Sequence, residues 1–344
     1  MQHLSAEQQR QALTHKLDRR IACEGKITLP AVPGMLDDYV ARCEQTFAAT
    51  GRAFSPAQRD QLRSILATQL ATAFAGSQRS SITVTYSAEI GKLLHYRVTA
   101  HHPTLAQIYE DWINTREPPY FGVHPDAKVL ALVEGVTDAA QSRVLDIGAG
   151  TGRNALALAR RGHPVDAVEL TPKFADLLRQ TADQEALPVK VLCDNVFQSR
   201  QALSQGYRLI VVSEVVPDFR SVHEWRALLE LAAQHLATGG QLVVNVFVTR
   251  DHYFTDDAAR EFAQQVYSFF LTPPELASAA QGLPLTLVSS ENVRDYEQSH
   301  LPGNAWPPTS WYEDWISGRD IFDTSIEHCP VHMQWLVFEK KISP

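Results

Sequence analysis

Three acids stand near the ends of successive apolar runs in the middle of this chain: Asp146 in Val144–Ile147, Glu169 after Val165–Val168, and Asp194 after Val189–Cys193. A carboxylate at a strand end beside a glycine-rich turn can accept hydrogen bonds from the hydroxyl or amine groups of a nucleotide-like ligand. The turn here is Gly148-Ala149-Gly150-Thr151-Gly152, and it runs directly into Arg153-Asn154 and an Ala/Leu-rich segment. Glycine lets backbone N–H groups come close to a ligand that a Cβ would push away. The spacing then discriminates among ligands. A dinucleotide fingerprint, G-x-G-x-x-G, requires a third glycine where Arg153 stands. The carboxylate of Asp146 at the strand end would also repel a pyrophosphate. Glu169, roughly twenty residues after the motif opens, offers two acceptor oxygens to the two hydroxyls of a ribose.

The pattern acid-x-Gly-x-Gly-x-Gly, from Asp146 to Gly152, resembles motif I of the class I S-adenosylmethionine (SAM) methyltransferases. The resemblance implies SAM as cofactor. It places Asp146, Gly148, Ala149, Gly150, Arg153 and Asn154 around the loop, with Glu169 and Leu170 at the ribose. It assigns Asp194, Asn195 and Val196 to the adenine edge, and Ser213 to the end of the next strand. The segment Arg116-Glu-Pro-Pro-Tyr-Phe-Gly-Val-His-Pro125 is similar to the Pro-aromatic-Gly stretch of tellurite-resistance-type and thiopurine-type methyltransferases, and Gly152-Arg153-Asn154 adds to that likeness. The likeness implies that Tyr120 and Phe121 pack near the sulfonium, where an aromatic face favours a cation. Read from residues alone, the same segment is equally a rigid linker whose aromatics cover the sheet.

The catalytic residues are less plainly written. After the run Tyr207–Ser213 comes Glu214-Val-Val-Pro-Asp-Phe219. The segment has neither the histidine of the dimeric O-methyltransferases nor the (Asn/Asp)-Pro-Pro-(Tyr/Phe) motif of the adenine and glutamine enzymes. Glu214 is the available carboxylate, and three readings stay open: it takes a proton from the acceptor, it contacts the SAM ammonium, or it faces solvent. Farther along, Thr249-Arg-Asp-His-Tyr253 offers Arg250 to a substrate carboxylate and His252 or Tyr253 as a base. His328, Cys329 and His332 lack further ligands at readable spacing, so no metal is expected. The expected activity is direct methyl transfer to N, O or S of a small molecule. The alternatives are a protein or peptide methyltransferase, or a non-methylating user of the fold. Glu214 and Asp218 leave room for an aminopropyltransferase within that second class.

The elements that must position these groups follow from periodicity. Apolar runs alternate with helical patterns such as Ala227–Leu236, giving strands covered on both faces. The fold class is therefore α/β, with a doubly wound, mostly parallel sheet. By the resemblance it has seven strands, the last two closing antiparallel at Leu285–Ser289 and Val331–Glu339. Thr238-Gly-Gly240 is expected to stop the preceding helix. The methyltransferase domain is assigned to residues 126–344, with a Trp-rich insertion near 300–325 that either forms a lid or stitches the preceding region to the core, the second being favoured. Residues 1–125 are expected to be mainly helical and to serve as a cap or dimerisation region, making a homodimer a candidate assembly. Ser5 and Gln8 form one capping box, Ser55-Pro56 opens another helix, and Gly51 closes the one between. Ile82–Tyr86 and Leu94–Val98 are a candidate hairpin.

Bulk properties set outer limits. A net charge of -8 argues against nucleic acid as a partner, since phosphate binding needs clustered Lys and Arg. No apolar run reaches the ~18 residues of a membrane span, and the first residues lack the apolar core of a signal peptide. The four scattered cysteines read as reduced thiols, and with these features point to the cytoplasm.

Overall fold

The computed structural model describes residues 5–250, 253 and 255–341. Two compact units result: residues 1–105 joined by Asp256–Gln265, and the remainder of the chain.

In the first unit, α1 (Ala6–Asp18) starts at Ser5 with a capping box to Gln8, and β1 (Cys23–Pro30) follows. Then come α2 (Leu36–Ala49) and α3 (Pro56–Gly76), the latter capped by Ser55 and Gln58. The strands β2 (Ser81–Ala88) and β3 (His95–His101) form the expected hairpin, and β1 adds to it in the order β1-β2-β3. Tyr39, Val40, Cys43 and Phe47 of α2 and Leu62, Leu66 and Leu70 of α3 are buried against Ile82 and Val84 of the sheet. The helical spacing of those residues is thus the core of an α+β unit rather than of a purely helical one. The strand β1 alternates between less and more exposed positions along its length, without a sustained apolar run. The helix Asp257–Gln265 belongs to this unit: Gly34 N–H donates to Glu261 (2.7 Å), and Gln265 donates to the Ala31 carbonyl (3.1 Å). The compact unit also ends at Leu105, ahead of the boundary at 125/126 read from the sequence.

The second unit opens with α4 (Leu105–Thr115) and α5 (Ala127–Ala131). The alternating part follows: β4 (Val144–Ile147), α6 (Arg153–Ala159), β5 (Val165–Glu169), α7 (Pro172–Gln184), β6 (Val189–Cys193), β7 (Tyr207–Val212), α8 (Val222–His235) and β8 (Leu236–Thr249). After α9 (the first-unit helix Asp257–Gln265) come β9 (Phe270–Leu271), α10 (Pro273–Ala280), β10 (Leu285–Asn292), α11 (Val293–His300), α12 (Tyr312–Ile316) and β11 (Val331–Lys340). The sheet order is β10-β11-β8-β7-β4-β5-β6, with β9 added beside β8. The seven expected strands are all present. Every residue of β4 and β5 is buried, Asp146, Asp166 and Glu169 included, as strands covered on both faces should be.

Two local expectations change. Only β11 runs against the others, because it is antiparallel to both β8 and β10; β10 therefore points the same way as β8. And α8 ends at His235 with Leu236 already extended, so Gly239 (φ +72°) shapes the start of β8 rather than the helix end. The Trp-rich insertion packs within this unit. Trp315 meets Phe247 of β8 edge-on at 5.6 Å and donates its indole N–H to the Tyr267 carbonyl at 2.8 Å. Neighbouring Tyr312 is likewise buried.

One buried polar contact ties strands together. Tyr207 of β7 donates to Asp166 of β5 at 2.6 Å, and burial together with that carboxylate raises its phenol pKa. Tyr207→Phe should cost about 1–3 kcal/mol, because a charged acceptor loses a donor in the interior. Urea unfolding with an unchanged slope and a lower midpoint would register it.

Candidate functional site

The strand ends of β4, β5 and β7 gather Asp146, Glu169 and Glu214, whereas Asp194 is exposed after β6. Gly148 has φ +70°, and a Cβ there would meet a methyl of Val215 at 2.2 Å, so the loop closes only with glycine at that position. Gly150 N–H donates to Glu169 Oε2 at 2.8 Å, and Thr171 N–H donates to Oε1 at 2.7 Å. Glu169 thus ties the loop to the end of β5, and burial raises its pKa above the usual carboxylate range. Over this loop lies Phe121, whose ring comes within 3.3 Å of where a Gly150 Cβ would be. Phe121 stacks on Trp112 at 5.1 Å and meets Phe174 edge-on at 5.3 Å, while Tyr120 packs against the same two rings. The Pro-aromatic-Gly segment therefore builds an aromatic wall next to the glycine turn.

Behind the loop sits a buried charge network. Arg153 ion-pairs with Asp126, and its other branch donates to Glu214 Oε1 at 2.8 Å. Asn154 donates to Asp126 Oδ2 at 2.8 Å and accepts from the Asp126 N–H at 2.9 Å. Ser213 donates to the same Oδ2 at 2.8 Å. These three side chains were read as cofactor contacts; in the structure each is engaged with Asp126. Glu214 sits at φ +61°, a left-handed conformation that a non-glycine residue holds only under constraint. Its N–H donates to Asn245 Oδ1 of β8 at 2.7 Å. Burial, outweighing Arg153, pushes its pKa up to about 7.

Asp126, Asn245, Glu297 and Tyr312 were not singled out by sequence reading. Glu297 of α11 accepts from the N–H groups of Ala127 and Lys128, capping α5, and from the Trp335 indole at 2.9 Å. The only available signal was Pro125-Asp126 as a helix opening. The others are single polar residues in segments far away along the chain.

Asp194 is exposed and accepts from the Asn195 N–H at 2.7 Å; Asn195 in turn accepts from Phe197 N–H at 2.9 Å, forming a tight turn after β6 with Val196 buried beneath. Leu170 is 44% exposed beyond β5. Ala149 is buried and donates to the Val168 carbonyl at 3.1 Å. Tyr253 packs edge-on against Phe322 at 5.7 Å, and His252 lies outside the described residues. Among the described residues no His/Cys/Asp/Glu group is placed to hold a metal ion.

Asp146 is the acid of the site with an unpartnered oxygen. It is buried, its carboxyl accepts from the Ala155 N–H, and its Oδ2 has no partner. Burial, followed by the charge of Asp126, pushes its pKa up to about 7. Together with Asp126, Glu169 and Glu214 it makes four acids with Arg153 as the cation among them. A grouping with more carboxylates than cations disfavours an anionic ligand such as a pyrophosphate. Asp146 binds a proton in the folded state at pH values where the unfolded chain has released it. Stability should therefore fall as pH rises from about 4 to about 7. Asp146→Asn should remove that part of the slope and stabilise the fold at pH 8 by a few kcal/mol at about 1.4 kcal/mol per pKa unit. Thermal melts of both proteins at pH 5 and pH 8 would check it.

Residues 144–240, which span β4 to the start of β8, match the family model described as a methyltransferase domain. With the sheet order and the glycine loop, this defines the second unit as a class I methyltransferase domain. The matched segment is thus a methyltransferase domain, and the chain spans under half the length of the curated relative it matches. Among curated proteins it is similar to hemagglutinin 1 of Eikenella corrodens, 27% identical over 122 residues; the matched region covers 36% of this chain and 40% of that protein's length. Among solved structures it is similar to a geranyl diphosphate C-methyltransferase of Streptomyces coelicolor A3(2) with S-adenosyl-L-homocysteine bound. The identity is 14%, covering 69% of this chain and 100% of that one, with a TM-score of 0.49. A geranyl diphosphate methyltransferase in complex with GPP and sinefungin gives 13% identity, covering 62% of this chain and 77% of that one, also with a TM-score of 0.49.

Proposed function

We propose that the chain transfers a methyl group to a nitrogen, oxygen or sulfur atom of a small molecule by direct displacement, in the cytoplasm. Bound SAM supplies an already activated methyl electrophile, so the protein's task is to align the acceptor, exclude water and, where needed, take a proton. Glu169 and the loop N–H groups are the residues to hold the nucleoside. Asp146 and the ring of Phe121 are the groups to face the cationic end. The observation that carries an acceptor role is Glu214. It is a carboxylate beside the glycine loop with 15% of its side chain exposed, fixed through its backbone by Asn245 and through its side chain by Arg153. A base with a pKa near the working pH is suited to an acceptor that arrives protonated.

A tritiated-methyl screen over small amines, phenols, thiols and basic peptides tests this reading. Label in a small molecule with S-adenosylhomocysteine released supports it; label confined to peptides, or none, overturns it. With a protonated acceptor, the rate should rise with pH through about 7 as Glu214 ionises. Glu214→Gln should lower kcat by about 10²–10⁴-fold and remove that limb of the profile, leaving the SAM affinity measured by calorimetry within a few-fold of wild type.

A further inference from the structure

On the sheet face carrying α8 and α10, where Trp225 of α8 approaches Phe338 of β11 at 6.2 Å, strands β8, β10 and β11 and helix α10 border a cavity of about 750 Å³. None of the strand-end residues described above lines it. Its size lies within the range of sites that hold small ligands. The walls follow from strand alternation. His332, Gln334, Leu336 and Phe338 of β11 share this face, two residues apart. On β10 the register shifts between Leu287 and Ser289, opposite Phe338 and Val337. That bulge absorbs one residue, so Leu287 and Ser290, three apart in sequence, both line the cavity.

The lining is mostly polar toward one end, where Val248 is the apolar exception, and mostly apolar toward the other, where Ser290 pairs with Leu336. Thr249, Arg250, His332 and Gln334 stand at one end, and Leu287, Leu336 and Phe338 at the other. Arg250 is the one charged residue among the lining groups. Its guanidinium is fixed by donating to the carbonyls of Cys329 (2.8 Å) and Ile326 (3.4 Å), and its Nη1 has no partner among the described residues. Burial pushes His332 down to about 4, so that ring is neutral and adds no charge near pH 7.

We propose that this cavity binds an amphipathic carboxylate, an acyl chain or apolar ring with one acidic head, the head at Arg250 and the body against Leu336 and Phe338. A fixed guanidinium matches a carboxylate, and the apolar end gives the body a surface to leave water for. The site is separate from the glycine loop, so the proposal stands or falls independently of methyl transfer.

The test is calorimetry of the full chain with hexanoate, octanoate and decanoate below their micelle concentrations, with decanol as the uncharged control. Affinity should rise about fourfold for each added methylene, the value for a fully buried CH₂. Ala277→Trp, at an exposed α10 position on the cavity wall, should weaken decanoate at least tenfold with SAM binding unchanged. Arg250→Gln should weaken decanoate about tenfold and leave decanol unaffected, a result that does not depend on the tryptophan variant folding. Absence of saturable decanoate binding to the wild type would overturn the proposal. So would binding that ignores chain length, or that persists unchanged in the folded variants.

Discussion

Arg153→Met should unfold with a loss of about 3–5 kcal/mol, the range measured when one partner of a buried ion pair is removed. The guanidinium is about nine-tenths buried and lies between Asp126, 2% exposed, and Glu214. Without it, both carboxylates stay in the interior with their charges opposed by nothing of comparable strength. The loss should be larger at pH 8 than at pH 5, because protonating Glu214, whose pKa burial raises to about 7, relieves the uncompensated charge. Adding Asp126→Asn and Glu214→Gln to Arg153→Met should recover much of the stability, since a network replaced as a whole leaves no orphaned charge. Chemical denaturation of the single and triple variants at both pH values is the measurement. A single variant as stable as wild type would show that the network carries no structural weight.

Glu169→Ala should weaken SAM binding about 100-fold or more. Hydrogen bonds to a charged group are worth about 1.5–3 kcal/mol each, and a ribose presents two donors to this carboxylate. The variant also frees the Gly150 and Thr171 N–H groups that Glu169 holds at 2.8 and 2.7 Å, so the loop loses its tie to β5. Glu169→Gln keeps one acceptor oxygen and should fall between. Calorimetry of wild type and both variants with SAM and S-adenosylhomocysteine reads the effect, with NAD as the negative control. Equal SAM affinity in Glu169→Ala would remove the ribose role from this residue.

The two experiments separate contributions that share one small volume. Arg153 is tied to Asp126 and Glu214, whereas Glu169 is tied to the glycine loop, where its expected role is to hold the ligand. A loss of SAM affinity in Arg153→Met without loss of stability would mean that the network orients the glycine loop rather than supporting the fold.

Much of this architecture was legible in the chain because its signals are local. Strands β4, β5 and β7, buried but for Arg208, are mostly apolar with a few buried acids, and α6, α7 and α8 alternate with them, so strand and helix order follow from a short reading window. The glycine loop is legible because positive φ and close packing leave glycine little competition at Gly148. The capping boxes at Ser5 and Ser55 close over three residues and are equally local. What tertiary structure alone decided is every polar role set by a distant partner. Arg153, Asn154 and Ser213 lie in or near the motif, yet Asp126 determines what their side chains do. Glu297 caps α5 across a large stretch of chain, β1 becomes a strand only by pairing with β2, and helix Asp257–Gln265 leaves its sequence neighbours to pack near Gly34. Backbone periodicity is imposed by the nearest few residues, whereas a buried charge must find its partner wherever the fold brings one.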